Sequence, residues 1–126
     1  MSAKHKEIVE KVNAAFAENN VEGFLSFCAD EVKFTMIGNK SVKGKDAIRQ
    51  WMNSMDMEPP KITAGEVIAE GDFVAARGEM TLKEDGQNVP YSYSYCDIYR
   101  FRNGKIAELN AFVIKAQAKH EASSPA

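Results

Sequence analysis

A single carboxylate stands in the middle of an aromatic stripe near the carboxyl end of this chain. In residues 91–101 every second residue is aromatic except Asp97. Alternate residues of a strand lie on one face, so Asp97 shares a face with Tyr95 and Tyr99. An apolar surrounding disfavours the ionised carboxylate and raises its pKa, and a protonated acid can donate a hydrogen bond at neutral pH. The pattern predicts Asp97, Tyr95 and Tyr99 as candidate catalytic residues.

A structural role for Asp97 is the alternative. A carboxylate inside a sheet can simply accept hydrogen bonds from a neighbouring Tyr hydroxyl, indole N–H or guanidinium. The indole of Trp51 is the candidate partner, because a buried tryptophan N–H needs an acceptor.

Apolar and aromatic side chains elsewhere in the chain are candidates for the wall of a ligand pocket. Aromatic rings and thioethers are common in such walls, and methionine adapts to irregular shapes. Plain core packing is the alternative for each of them. The candidate ligand-binding residues are Phe34, Met36, Trp51, Met55, Met80, Phe101, Leu109 and Val113.

The other residues that could take part in chemistry form weaker patterns. Arg77 and Glu79 stand two apart on a predicted strand, so they share a face and are expected to form an ion pair. His5 and His120 lie close to the two ends of the sequence, and we expect both to lie away from the site.

The two cysteines and the glycines give no further site. Cys28 and Cys96 are isolated and have no metal-ligand spacing, so we expect two reduced thiols. The glycines form no phosphate-binding loop before a helix. The sequence predicts no cofactor and no metal.

Charge and hydropathy exclude several classes of partner. The formal net charge is -2, so there is no electrostatic reason to expect binding to nucleic acid or to an anionic membrane. No apolar run is long enough to span a bilayer. The charged, helix-patterned first residues do not resemble a secretory signal, so a cytoplasmic location is expected.

The first half of the sequence predicts three helices and one strand. Ile8, Val12, Ala15 and Phe16 recur at helical spacing, and Asn20 is placed to cap a second short helix in which Val21, Phe24, Leu25 and Cys28 share a face. Residues 32–37 are a strand candidate. A third helix is expected to start near residues 44–46 and to end before Pro59 and Pro60.

The second half predicts four strands in sequence. Residues 61–70 and 73–83 form two of them, and the other two meet at Asn103-Gly104. An Asn-Gly pair readily takes the positive φ angles of a two-residue hairpin turn. Early helices followed by consecutive antiparallel strands favour an α+β fold over a doubly wound parallel sheet.

The same order, with its local motifs, resembles the SnoaL-like branch of the nuclear transport factor 2-like superfamily, which is related to ketosteroid isomerase. The matching segments are ENNVEGFLSFCADEVKF, VKGKDAIRQWM and IYRFRNGKIAELNAF. The resemblance implies a cystatin-like cone, in which three N-terminal helices pack on a strongly curved, mostly antiparallel sheet. Residues 1–115 would form the single domain and residues 116–126 a frayed or disordered tail.

The resemblance also bears on partners and on chemistry. It implies a homodimer formed through the convex face of the sheet, and a small apolar molecule held in the cone. Asp97 falls where ketosteroid isomerases hold a protonated Asp. However, their general-base Asp falls at Thr35 and their oxyanion-binding Tyr at Val12, so steroid isomerisation itself is not expected.

A second set of relatives, similar to limonene epoxide hydrolase, carries an Arg-x-Asp pair. Arg77 and Glu79 match that spacing. The second carboxylate of that set falls at Ala111, and its Tyr and Asn fall at Lys33 and Thr35. The match is therefore partial.

Three functions are consistent with the sequence. The first is a cofactor-independent isomerase, cyclase or dehydratase that acts on an apolar carbonyl compound by acid–base chemistry. The second is a non-catalytic protein that uses Asp97 only to recognise a ligand. The third is a dimeric association module whose convex sheet face is the functional surface.

Overall fold

The computed structural model describes residues 2–54, 61–82 and 91–115. Two helices come first and four consecutive strands come last, as the sequence predicts. The elements are α1 (Ser2–Ala17), α2 (Val21–Leu25), β1 (Cys28–Met36), β2 (Ser41–Lys43), α3 (Lys45–Asn53), β3 (Lys61–Glu70), β4 (Phe73–Leu82), β5 (Tyr91–Arg102) and β6 (Lys105–Lys115).

The strands form one curved six-stranded sheet in the order β2-β1-β6-β5-β4-β3. Every neighbouring pair is antiparallel except β1 and β6, which run parallel. Strands β3 to β6 follow one another as hairpins, so the aromatic strand β5 lies inside the sheet between β4 and β6. The predicted α+β architecture with a mostly antiparallel sheet is confirmed.

Local sequence signals set the ends of the elements. The side chain of Asn20 accepts a hydrogen bond from the Gly23 amide at 3.0 Å and caps α2, as predicted. Asn103 and Gly104 have φ angles of 54° and 79°, which is the left-handed geometry of a tight hairpin turn. This turn joins β5 to β6 and thereby fixes which side chains of the aromatic strand lie on each face.

The helices cover one face of the sheet, which we call the inner face. Helix α1 lies over β3 and β4, and α3 lies over β1 and β2. The core between these layers includes the fully buried side chains of Val9, Phe24, Ile48, Tyr99 and Leu109. The opposite, outer face of the sheet carries no helix among the described residues.

Three details of the predicted elements are corrected. Cys28 begins β1 instead of ending α2, because α2 stops at Leu25. Residues 41–43 form β2, which was not predicted, and they pair with residues 33–35 of β1. β1 extends over Cys28–Met36, so it begins earlier than the predicted residues 32–37.

The reduced state of the cysteines and several chain segments were also predicted from the sequence. Both cysteines are free thiols, and Cys28 is buried. Burial raises the pKa of the Cys28 thiol to about 12. The proline pair at 59–60, Lys83 at the predicted end of β4, His120 and the predicted tail at 116–126 lie outside the described residues.

Candidate active site on the inner sheet face

Asp97 lies on the inner face of the sheet, as its position in the aromatic stripe predicts. Its side chain is 9% exposed, and the flanking residues of the same face, Tyr95 and Tyr99, are 7% and 0% exposed. Its cross-strand neighbours are Ala76 on β4 and Ala111 on β6. Both neighbours are small and buried, so only methyl groups flank the carboxyl along its row.

The inner face is closed at one end and open at the other. Val74, Tyr99 and Leu109 form one row across β4, β5 and β6, and all three are fully buried. Towards the opposite end the inner-face side chains are half-buried, and they include Met36, Met80, Tyr93 and Val113. We call these regions the closed half and the open half. The row of Asp97 lies at their boundary.

Asp97 has no partner of its own. Within residues 2–54, 61–82 and 91–115, no side chain forms a hydrogen bond or ion pair with its carboxyl. The hydroxyls of Tyr95 and Tyr99 are also buried without a hydrogen-bond partner. Buried polar groups are nearly always paired, so two unpaired buried hydroxyls beside a carboxyl without a side-chain partner form a candidate functional site.

Burial controls the ionisation of this set. Removal from water raises the pKa of Asp97 from its ordinary value of 3.8 to about 7. Burial, followed by the charge of Asp97, raises the pKa of Tyr95. Burial, followed by the charges of Asp97, Tyr95 and Cys28, raises the pKa of Tyr99 well above its ordinary value. Both tyrosines therefore stay protonated at neutral pH, and Asp97 is the group of the set that titrates there.

The predicted ligand-binding residues divide between the two halves. Met36, Met80 and Val113 lie in the open half with Tyr95, and Met36 belongs to the same cross-sheet row as Asp97. Leu109 and Phe101 are buried to 0% and 1% exposure in the closed half, where they pack in the core. Met55 lies outside the described residues.

Trp51 on α3 and Phe34 on β1 meet between the helical layer and the sheet. Their rings meet edge to face at a centroid distance of 5.2 Å, and the Lys40 ammonium lies 5.6 Å from the Trp51 ring. The expected hydrogen bond from Trp51 to Asp97 is not formed. Trp51 is half-buried, so its indole does not depend on a buried acceptor.

The burial of His5 was not predicted. His5 is 2% exposed, its ring stacks on Phe101 at 4.2 Å, and its Nδ1 lies 3.0 Å from the Gly71 carbonyl oxygen. The signal that would have found it is helical spacing, because His5 precedes Val9 and Val12 by four and seven residues on one face of α1.

Arg77 and Glu79 lie on the outer face, away from Asp97. The residue between them, Gly78, lies on the inner face against Tyr95, and alternation turns its two neighbours outward. Arg77 pairs with Glu66 at 2.6 Å and not with Glu79, which corrects the predicted ion pair. Thr35 also lies outside the Asp97 face, since it pairs in register with Asn110 and its hydroxyl bonds to Ser41 at 2.8 Å.

A shallow depression of about 500 Å³ lies elsewhere on the surface, at the start of α3. Its lining mixes charges of both signs, and Lys45 lies 3.7 Å from Asp30. None of the predicted ligand-binding residues lines it. The lysines near α3 are therefore part of a solvated, charge-paired surface.

The described part of the chain offers no other obvious chemistry. It contains no group of three or more His, Cys, Asp or Glu side chains able to hold a metal ion. None of its helices is both long and apolar enough to cross a bilayer.

Comparison with known structures places this arrangement among the cone-shaped α+β domains of the nuclear transport factor 2-like and ketosteroid isomerase-like kind. An NTF2-like protein of unknown function from Cytophaga hutchinsonii is 26% identical, with a TM-score of 0.74 over 90% of this chain and 99% of that one. A protein with a ketosteroid isomerase-like fold from Catenulispora acidiphila, in complex with trimethylamine, is 19% identical, with a TM-score of 0.76 over 83% of each chain.

An LEH-like epoxide hydrolase from M. tuberculosis is 12% identical, with a TM-score of 0.77 over 89% of this chain and 84% of that one. No curated protein matches the sequence at a significant level. The sequence pattern of the SnoaL-like domain matches residues 9–109, and the chain belongs to that family.

Proposed function

We propose that the open half binds a small, uncharged, mostly apolar carbonyl compound, and that Asp97 donates a hydrogen bond to its oxygen. The observation that carries this proposal is an unpartnered, buried carboxyl with a pKa of about 7 at the boundary of the open half. A protonated carboxylic acid in an apolar wall is a strong hydrogen-bond donor to a carbonyl oxygen that gains negative charge.

The same pKa suits acid–base catalysis. At neutral pH the protonated and ionised forms of Asp97 are both populated, which is the condition for a group that gives and takes a proton within one cycle. We therefore propose a reaction of the isomerase, cyclase or dehydratase type. Such chemistry on a carbonyl compound can run on protein groups alone.

The charge around the site disfavours an anionic ligand. Among the described residues Asp97 is the only buried carboxylate and no lysine or arginine is buried, while the buried His5 stacks on Phe101 in the closed half. An anionic ligand would meet the Asp97 carboxylate without a compensating cation, which is unfavourable in a poorly hydrated site.

Recognition without turnover is the second candidate. The position of a ketosteroid isomerase base holds Thr35, and this residue lies off the Asp97 face. The two tyrosine hydroxyls are sealed from solvent, so a ligand reaches them only if side chains move. The carboxyl of Asp97 alone can bind a carbonyl oxygen, so recognition needs no second catalytic group.

The test starts with a ligand screen. Thermal shift with neutral steroids, terpenoids and aromatic polyketide-like ketones, each beside its carboxylated analogue, should give stabilisation by neutral members only. Quenching of Trp51, the single tryptophan, would give affinities. Stabilisation by the carboxylated analogues instead would contradict the proposed charge preference.

Asp97→Asn then separates the two candidates. This change keeps the shape and removes the acidic proton, so an enzyme should lose turnover of the bound compounds while affinity changes less than turnover does. Glu79→Gln, on the outer face, is the matched control and should change neither turnover nor affinity. Turnover that survives Asp97→Asn would show that Asp97 is not the acid.

We also propose that the outer face pairs with a second copy of the chain. Several large apolar side chains lie exposed on it, although such groups are usually covered. They are Ile68 at 67% exposure, Phe73 at 52%, Phe112 at 42% and Ile114 at 70%. Sedimentation of Phe112→Asp/Ile114→Asp should show monomers where the parent protein shows dimers; equal masses would reject this face as the interface.

A further inference from the structure

Tyr95 and Gly78 occupy paired positions on β5 and β4. A β-carbon built on Gly78 would lie 2.6 Å from the Tyr95 hydroxyl oxygen and 2.9 Å from its Cζ. It would also lie 2.5 Å from the Thr63 carbonyl oxygen on β3. The phenol ring of Tyr95 therefore extends across β4, and its hydroxyl occupies the space that any other residue at position 78 would fill.

The backbone of Gly78 does not itself require glycine. The glycines with positive φ in the described chain are Gly38, Gly44, Gly71 and Gly104, and Gly78 is not among them. Glycine inside a strand weakens the sheet and commonly marks a close approach of another group. Here the approaching group is a side chain of the candidate site.

We propose that Gly78 is a positioning residue that forms a notch for the Tyr95 hydroxyl and so fixes the ring as one wall of the site next to Asp97. The inference rests on the proposed function in one respect, namely that Asp97 is the group that meets the ligand. A ring held across β4 is kept beside Asp97 on the inner face and is not free to fold over the carboxyl.

The notch also explains the state of the hydroxyl. The oxygen is buried without a hydrogen-bond partner, and burial is the first cause of the raised pKa of Tyr95. A β-carbon at position 78 would push the hydroxyl out of the notch towards the open half. The Tyr95 phenol should then meet water, and its titration should move to lower pH.

The experiment compares Gly78→Ala with Gly65→Ala. A β-carbon on Gly65 would lie 2.8 Å from the Arg77 carbonyl oxygen, so this control strains the same pair of strands without reaching Tyr95. Titration of ¹³Cζ-labelled tyrosines by NMR, with Tyr95→Phe to assign the signal, should show a shift to lower pH for Gly78→Ala only. An unchanged Tyr95 titration in folded Gly78→Ala would overturn the proposal.

A double variant covers the case in which Gly78→Ala fails to fold. Tyr95→Phe removes the side-chain oxygen that lies 2.6 Å from the new methyl group, so Gly78→Ala/Tyr95→Phe should fold or regain part of the lost thermal midpoint. The effects of Gly65→Ala and Tyr95→Phe on the thermal midpoint should be additive. If Gly78→Ala is as damaging in the Tyr95→Phe background as in the parent protein, the Thr63 carbonyl alone accounts for the glycine and the notch is refuted.

The ligand measurement separates this inference from the proposed function. For the tightest neutral ketone of the screen, Gly78→Ala should weaken binding by at least several-fold and Gly65→Ala should not. Binding that is unaffected by Gly78→Ala would refute the wall role of Tyr95. A screen without any ligand would count against the proposed function alone, because the titration and the double variant use the protein without a ligand.

Discussion

The closed and open halves of the inner sheet face are made from the same strands and differ in what covers them. In the closed half, Tyr99 and Leu109 are sealed and His5 from α1 stacks on Phe101. In the open half, Met36, Met80 and Val113 are only half-buried. One half has the burial of a core and the other has that of a binding surface, and Asp97 lies where they meet.

The largest expected effect concerns the carboxylate at the boundary. Between its ordinary pKa of 3.8 and the folded-state pKa of about 7, folded Asp97 keeps a proton that the unfolded chain releases. Stability should therefore fall as pH rises through this window. Asp97→Asn removes this dependence, so its advantage over the parent should grow from pH 4 to pH 8, up to about 4 kcal/mol.

Urea unfolding at several pH values measures this difference. A difference between parent and Asp97→Asn that does not vary with pH would show that Asp97 ionises normally, and the boundary between the halves would lose its functional meaning. Asp46→Asn, at an exposed position on α3, is the control and should show no comparable gain.

A truncation in each half sharpens the comparison. Leu109→Ala, in the closed half, leaves a cavity in a fully buried position and should cost about 2–5 kcal/mol of stability. Val113→Ala, four residues later on the same face of β6, removes only half-buried methyl groups and should cost about 1 kcal/mol. Ligand affinity should fall more in Val113→Ala than in Leu109→Ala. Equal losses of stability in the two variants would contradict the division into a closed and an open half.

The smallest expected effect is at the sealed hydroxyl of the closed half. The Tyr99 hydroxyl is buried without a partner, so Tyr99→Phe should stabilise the protein by about 1 kcal/mol or leave it unchanged. Tyr91→Phe, at an exposed ring, should have no effect. Clear destabilisation by Tyr99→Phe would reveal a hydrogen bond to that hydroxyl and would contradict its unpaired state.

Sequence patterns predicted the elements that depend on local chemistry. The Asn103-Gly104 turn fixed the hairpin, and strict alternation then placed Asp97 on the same face as Tyr95 and Tyr99. The order of helices and strands predicted the α+β class. These features depend on neighbours in the chain, so a single sequence carries them.

Contacts between distant segments were not predictable in the same way. Arg77 pairs with Glu66 because β3 lies beside β4, although Glu79 is nearer in sequence. The notch at Gly78 depends on the direction of one phenol ring, and nothing in the residues around position 78 signals it. The burial of His5 was accessible through helical periodicity, because His5, Val9 and Val12 share one face of α1.

The two free thiols give this protein a built-in reporter of assembly. Cys28 lies in the core with a pKa of about 12, so it should resist alkylating reagents. Cys96 is half-buried on the outer face, where its register partner on β6 is Phe112. The unmodified sequence should therefore accept one fluorophore or spin label at the middle of the sheet's uncovered side, and slower labelling at high protein concentration would reveal a second subunit there.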